Sequence, residues 1–200
     1  MRGIFVLGAV ALASLLVGCD DEGVVDDEVA AEVAYMGLDR GVDRALELGF
    51  DGFNDPDESA NIPPQQAPGA YAGTMHVSGK VDSGESTNKN MDLDVGLTGY
   101  SDGPILGYTE DDEEEIIIYY DGAMNLIMSM KGLPNAELTG SFGGIVTMSG
   151  HLEGPVTLSL QFTGRTEDAG GGLIQRQPGT LHIFGTATSD YGVFDVNITR

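Results

Sequence analysis

Three groups of residues in this 200-residue chain have types and spacings that can do chemistry. Gly99-Tyr100-Ser101-Asp102-Gly103 is a G-x-S-x-G pattern, which can hold a serine nucleophile on a strained turn. Acids and then His151 or His182 follow it in an order that would complete a triad. That geometry needs a strand feeding directly into a helix, whereas Pro104-Ile105-Leu106-Gly107-Tyr108 continues as strand, so Ser-Asp-Gly-Pro reads as a β-turn. His76, His151 and His182 never sit at metal-ligand spacing; His76 and His182 fall on the polar side of their strands. Glu110 to Glu115 are six consecutive acids. Calcium takes carboxylates from a loop whose oxygens converge, while neighbouring acids repel and diverge, so the run reads as a solvated hairpin tip with calcium left open. Asp51 to Glu58 also looks superficially calcium-like, but Phe53 stands where a calcium loop needs Asp or Asn. No catalytic residue, metal site or cofactor is assigned.

The remaining reactive group is Cys19, the only cysteine. Before it, Arg2 heads an unbroken apolar run from Ile4 to Val17, too short for an ordinary membrane-spanning helix. The run ends Leu16-Val17-Gly18-Cys19, with apolar residues three and two positions before the cysteine and a small one just before it. This resembles the lipobox of bacterial lipoproteins. The resemblance covers the first nineteen residues only. It implies cleavage between Gly18 and Cys19, a lipid on the Cys19 thiol and acylation of the new amino terminus, with palmitate-type chains as the anchor. Asp20, Asp21 and Glu22 bear on sorting, but bacterial groups read that position differently, so inner or outer membrane and periplasmic or surface face stay open.

Charge narrows the partners. Asp and Glu number 32 against 9 Lys and Arg, a formal net charge of -23. A nucleic-acid binder displaces phosphate counterions with cations that this chain lacks, and adsorption to anionic headgroups is disfavoured for the same reason. Attachment therefore falls to acyl chains, at about 0.8 kcal/mol per buried methylene. With Cys19 used, no disulfide can form inside the mature fold, and stability must come from an apolar core.

The elements follow in chain order. Residues 1–18 read as signal peptide and 19–50 as lipidated N-terminus and helical arm. The helix spans about Asp27 to Leu48, with apolar stripes at Val29, Val33 and Met36 and at Leu38, Val42, Ala45 and Leu46. Gly37 and Gly41 predict a weakened or broken helix, Gly49 a C-cap, and the whole a spacer helix that packs on the domain. Residues 51–70, with Pro63, Pro64 and Pro68, read as a Pro-rich linker. Residues 71–200 read as an antiparallel β domain. The segments Gly73–Gly79, Gly122–Met128, Gly144–Gly150 and Gly179–Gly185 follow one alternating template and lead into returning strands, so the domain is a run of related hairpins. Further strands are expected at Ile105 to Tyr108 and Ile116 to Tyr120. Register arithmetic pairs Leu152 with Val156 and Val146 with Phe162, and Ile183 with Val196. Gly79, Gly150 and Gly185 recur on the inward face, where glycine permits a sheet to bend. The expected fold is all-β: a curled, barrel-like antiparallel meander of roughly eight to ten strands, with a sandwich as the alternative.

Met124, Met128 and Met130 share a face with Leu126, and Met148 lies on another inward face; a Met- and Leu-rich interior is a core by default and can hold a small apolar ligand at an open end. The reading is a non-enzymatic, lipid-anchored protein of the bacterial cell envelope. Its β domain serves ligand or partner binding, or a structural role, with an envelope protein among the partners. The alternatives are an envelope hydrolase using Ser101 and an outer-membrane β-barrel, whose lipid-facing aromatic girdles this chain lacks.

Overall fold

The computed structural model describes residues 27–55, 60–108 and 113–200. The segment that resembles a lipobox, the acids from Asp20 to Glu22, residues 56–59 and the first half of the acidic run therefore lie outside the described residues. Among the described residues one helix, α1 (Asp27–Asn54), precedes the strands β1 (Asn61–Pro68), β2 (Ala72–Val81), β3 (Asn88–Ser101), β4 (Ile105–Tyr108), β5 (Glu113–Ile116) and β6 (Ile118–Lys131). Then come β7 (Glu137–Gly150), β8 (Gly154–Gly170), β9 (Leu173–Arg176), β10 (His182–Ser189) and β11 (Gly192–Thr199).

The main sheet runs β1-β2-β3-β6-β7-β8-β10-β11, antiparallel throughout, with β9 paired to the far end of β8. The β4–β5 hairpin stands apart from it. This is the expected all-β meander. Side chains alternate with period two: Met91, Leu93, Val95 and Leu97 of β3 are buried, while Asn90, Asp92 and Asp94 point to solvent. The same alternation in β6 and β8 puts a continuous apolar face on one side of the sheet. Gly79 and Gly185 lie on that face with φ of 156° and 142°. A Cβ there would run into the carbonyls of Asp92 and Ser159 on the paired strands, so glycine is what lets the sheet bend at these two places. Gly150 instead ends β7 at an exposed turn.

The sheet curls without closing, since β1 and β11 do not pair. The concave side is filled by α1, which packs against both of these edge strands. Ala31 approaches Gly192, and Tyr35 stacks on Phe194 with ring centroids 5.6 Å apart. At the other end, Asn54 exchanges two hydrogen bonds with the backbone of Ile174. Leu38, Val42, Leu46 and Phe50 join the sheet's Met75, Leu93, Leu126 and Met128 in one core. No helix among the described residues is long and apolar enough to cross a membrane.

Four expectations need correction. The helix is unbroken for 28 residues and runs through Gly49 to Asn54. Gly37, Gly41, Ala45 and Gly49, four residues apart, form a thin side that seats the backbone close to the sheet. A Cβ on Gly49 would lie 2.8 Å from Met128 Cε and 2.9 Å from Leu93 Cδ1. Glycine costs a helix about 1 kcal/mol each, and the close packing offsets that. Second, residues 61–68 are strand β1, not linker. An edge strand bonds on one side only, so prolines survive there, and the register shift between Ile62 and Gln65 absorbs Pro63 and Pro64. Third, Val146 pairs with Val156 and Gly140 with Phe162, and Ile183 pairs with Ile198. Each expected register had slipped by an even number of residues, which leaves every side chain on its proper face and so escapes any test based on alternation. Fourth, the segment expected as one strand from Ile116 to Tyr120 is divided at Ile117 between β5 and β6.

Candidate functional site

Glu32, Met36, Arg40, Arg44, Glu47 and Asp51 form the exposed stripe of α1, which shows in the gap between the sheet's edges. On one side, Asp39 and Asp43, one turn apart, face the end of the chain. Arg200 pairs with both, and Arg176 Nη1 reaches Asp43 Oδ1 at 2.7 Å. All four side chains are at most 25 % exposed. Burial works against the Arg200 charge, but Asp39 and then Asp43 outweigh it and raise its pKa above the ordinary value. The Tyr35 hydroxyl donates to Asp39 Oδ1 at 2.9 Å; burial first, then Asp39, pushes its pKa up. This cluster locks α1 to β9 and to the residue after β11.

Next to this cluster, and sharing Asp43 with it, is an open groove of about 390 Å³ lined also by Arg40, Arg44, Glu47, Tyr100 and Asp102. The Tyr100 hydroxyl donates to the Asp102 carboxylate at 2.9 Å, and the Ala70 N–H donates to it at 3.1 Å. Burial, then Asp102, raises the Tyr100 pKa. Arg44 pairs with Glu47 at 3.0 Å, exposed to water, while Arg40 has no such partner among the described residues. The groove therefore presents a guanidinium beside a restrained carboxylate, which suits weak polar recognition. It holds no nucleophile paired with a base.

Ser101 is buried at the end of β3, and its Oγ accepts the Gly103 N–H at 3.4 Å. Strand β4 follows, so the strand-to-helix setting of a nucleophile elbow is absent. No histidine among the described residues hydrogen-bonds to it. His151 Nδ1 takes the Ile117 N–H at 3.0 Å, His182 Nε2 meets Asn197 Oδ1 at 2.8 Å, and His76 Nε2 meets Thr74 Oγ1 at 3.5 Å. No group of three His, Cys, Asp or Glu residues that could hold a metal forms among the described residues. Glu113–Ile116 is β5, and the acids at 110–112 fall outside the described residues; Asp51–Asn54 is the last turn of α1.

The Met- and Leu-rich interior is a filled core, the default reading, with α1 where a small apolar ligand could have sat: Met124, Met128, Met130 and Met148 are at most 5 % exposed. A second, more enclosed groove of about 350 Å³ opens at the helix C-terminal end, beside Leu46, Phe50, Leu173 and Ile174. The ion-pair cluster went unforeseen in the sequence. Its partners lie 133 to 161 positions apart, and the one local sign was an Asp39–Asp43 pair at helical spacing. Comparison with protein-family models, with curated proteins and with solved structures finds no match, so the function has to be argued from this chain's own residues.

Proposed function

We propose that this chain is a lipid-anchored bacterial cell-envelope protein without enzymatic activity, whose β domain has a binding or structural role. The observation that carries the reading is Leu16-Val17-Gly18-Cys19, a small-residue cleavage site before the sole cysteine, after a basic and then apolar leader. The acyl chains at Cys19 are its membrane attachment, and its net charge of -23 keeps the domain off anionic headgroups and nucleic acid. The filled concave face favours a rigid scaffold over a carrier of small apolar ligands. Either membrane of a two-membrane envelope, and either its periplasmic or surface face, fits this reading.

Mass spectrometry of the protein taken from membranes tests it. The mature chain should begin at a Cys19 that carries thioether-linked lipid, and Cys19→Ala should leave the leader uncleaved and unlipidated. A native product with a free thiol or an intact leader would sink the proposal. The non-enzymatic part is tested separately: stoichiometric labelling of Ser101 by a serine-reactive phosphonate would overturn it.

A further inference from the structure

Charged residues make up 20 % of this chain, yet they are missing from one broad face. The outward positions of β6, β7, β8 and β10 align in four rows of four, from Ala123 to Ser129 along β6 and from Thr188 to His182 along β10. One row reads Ile127, Ser141, Gln161, Phe184. None of the sixteen positions is Asp, Glu, Lys or Arg, and none is buried. Most are Ser, Thr, Asn or Gln. Ser141, Ser159, Gln161 and Thr163 make no side-chain hydrogen bond within the described residues, so their groups face water. Acids bound the face on both flanks: Asp92 and Asp94 on β3, and Asp195 on β11.

We infer that this face binds a neutral polysaccharide laid across the strands. A charged partner finds no counter-charge on it. Strand and residue spacings make it about 20 by 25 Å, or roughly 500 Å², against about 800 Å² per partner in a stable protein complex. A second copy docked face to face would also bring the aspartate flanks, and two highly negative molecules, together. A sugar chain needs less area and offers hydroxyls, which match side chains that both donate and accept. His182 and Phe184 stack with centroids 5.2 Å apart at 29°, and the side of the Phe184 ring turned away from His182 suits the apolar side of a sugar ring. The inference extends the binding role proposed above and does not depend on the anchor.

The test is co-sedimentation of the full-length protein, purified in detergent, with insoluble chitin and with insoluble β-glucan. Retention on at least one is expected, unchanged between ~50 mM and ~1 M salt because no ion pair is involved. Ser159→Asp with Gln161→Glu, and separately Phe184→Ala, should each weaken retention by about tenfold or more, roughly the effect of 1.4 kcal/mol. Ser159 and Gln161 are exposed and Phe184 is half-buried on the outer face, away from the core, so the circular dichroism should not change. Asp195→Asn on the flank should bind as the native protein does, and so should Cys19→Ala, which separates this inference from the anchor. Absence of retention on both materials, retention that falls with salt, or retention indifferent to the three changes on the face would overturn it. So would self-association in sedimentation velocity that the same changes abolish, since the face would then join two copies.

Discussion

Gly37 shows how much a single hydrogen can decide. It faces Tyr120, whose buried hydroxyl donates to the Ala34 carbonyl at 2.9 Å, and a methyl at position 37 would collide with that hydroxyl. Gly37→Ala, which would help an isolated helix, should here destabilise the fold by about 1–3 kcal/mol. Tyr120→Phe removes the colliding oxygen, so the double variant should recover part of that loss in urea unfolding. A double variant no better than the sum of the two single ones would show that the clash lies elsewhere. The buried tyrosines also set the response to base. Burial, seconded by Asp39 at Tyr35 and by Asp102 at Tyr100 and Tyr120, raises all three pKa values above the ordinary 10.0. The unfolded chain then loses phenolic protons that the folded chain keeps. Above about pH 10 the unfolded state binds fewer protons, so stability present at neutral pH falls as pH rises. Urea midpoints should be flat up to that point and decline beyond it, and Tyr35→Phe should make the decline shallower.

At the scale of elements, α1 is held by its thin glycine side beneath and by ion pairs at the rim. Arg200→Met keeps the aliphatic stem but leaves Asp39 with only Tyr35 to bond it. The loss should be about 2 kcal/mol, less than for a fully buried pair because water still reaches the cluster. It should appear as a lower urea midpoint at unchanged slope. The same element marks how far local reading goes. The apolar stripes of α1 were legible because helical period is a local property, whereas its continuity was not, because the compensation for Gly37 and Gly49 comes from Tyr120, Leu93 and Met128, far along the chain. The prolines of β1 misled for a related reason: only the position of that strand at the sheet's edge makes them harmless.

At the scale of the molecule, helix and sheet share one core, so the 28-residue helix and the strands are not separate folding units. Native-state hydrogen exchange should report this. Amides of Leu38, Val42 and Leu46 should exchange only with global unfolding, alongside those of β3 and β6. Earlier exchange across α1 would make it a detachable arm. Charge is organised at this scale as well. Within a strongly acidic chain, Arg176 and Arg200 converge on α1's acids, while the middle of the convex face, four rows across β6, β7, β8 and β10, carries no charge. Neither arrangement shows until strands are laid side by side.

Local order alone carries the lipobox-like motif that ends at Cys19, the helix, the hairpins and the faces their side chains take, because each follows from a neighbouring residue or a short period. The tertiary structure decided the registers, the use of glycines as contact points, the strand role of a proline-rich segment and the partners of Asp39 and Asp43. A slip by two residues keeps every face unchanged, and an ion pair across 157 positions leaves no trace in local order.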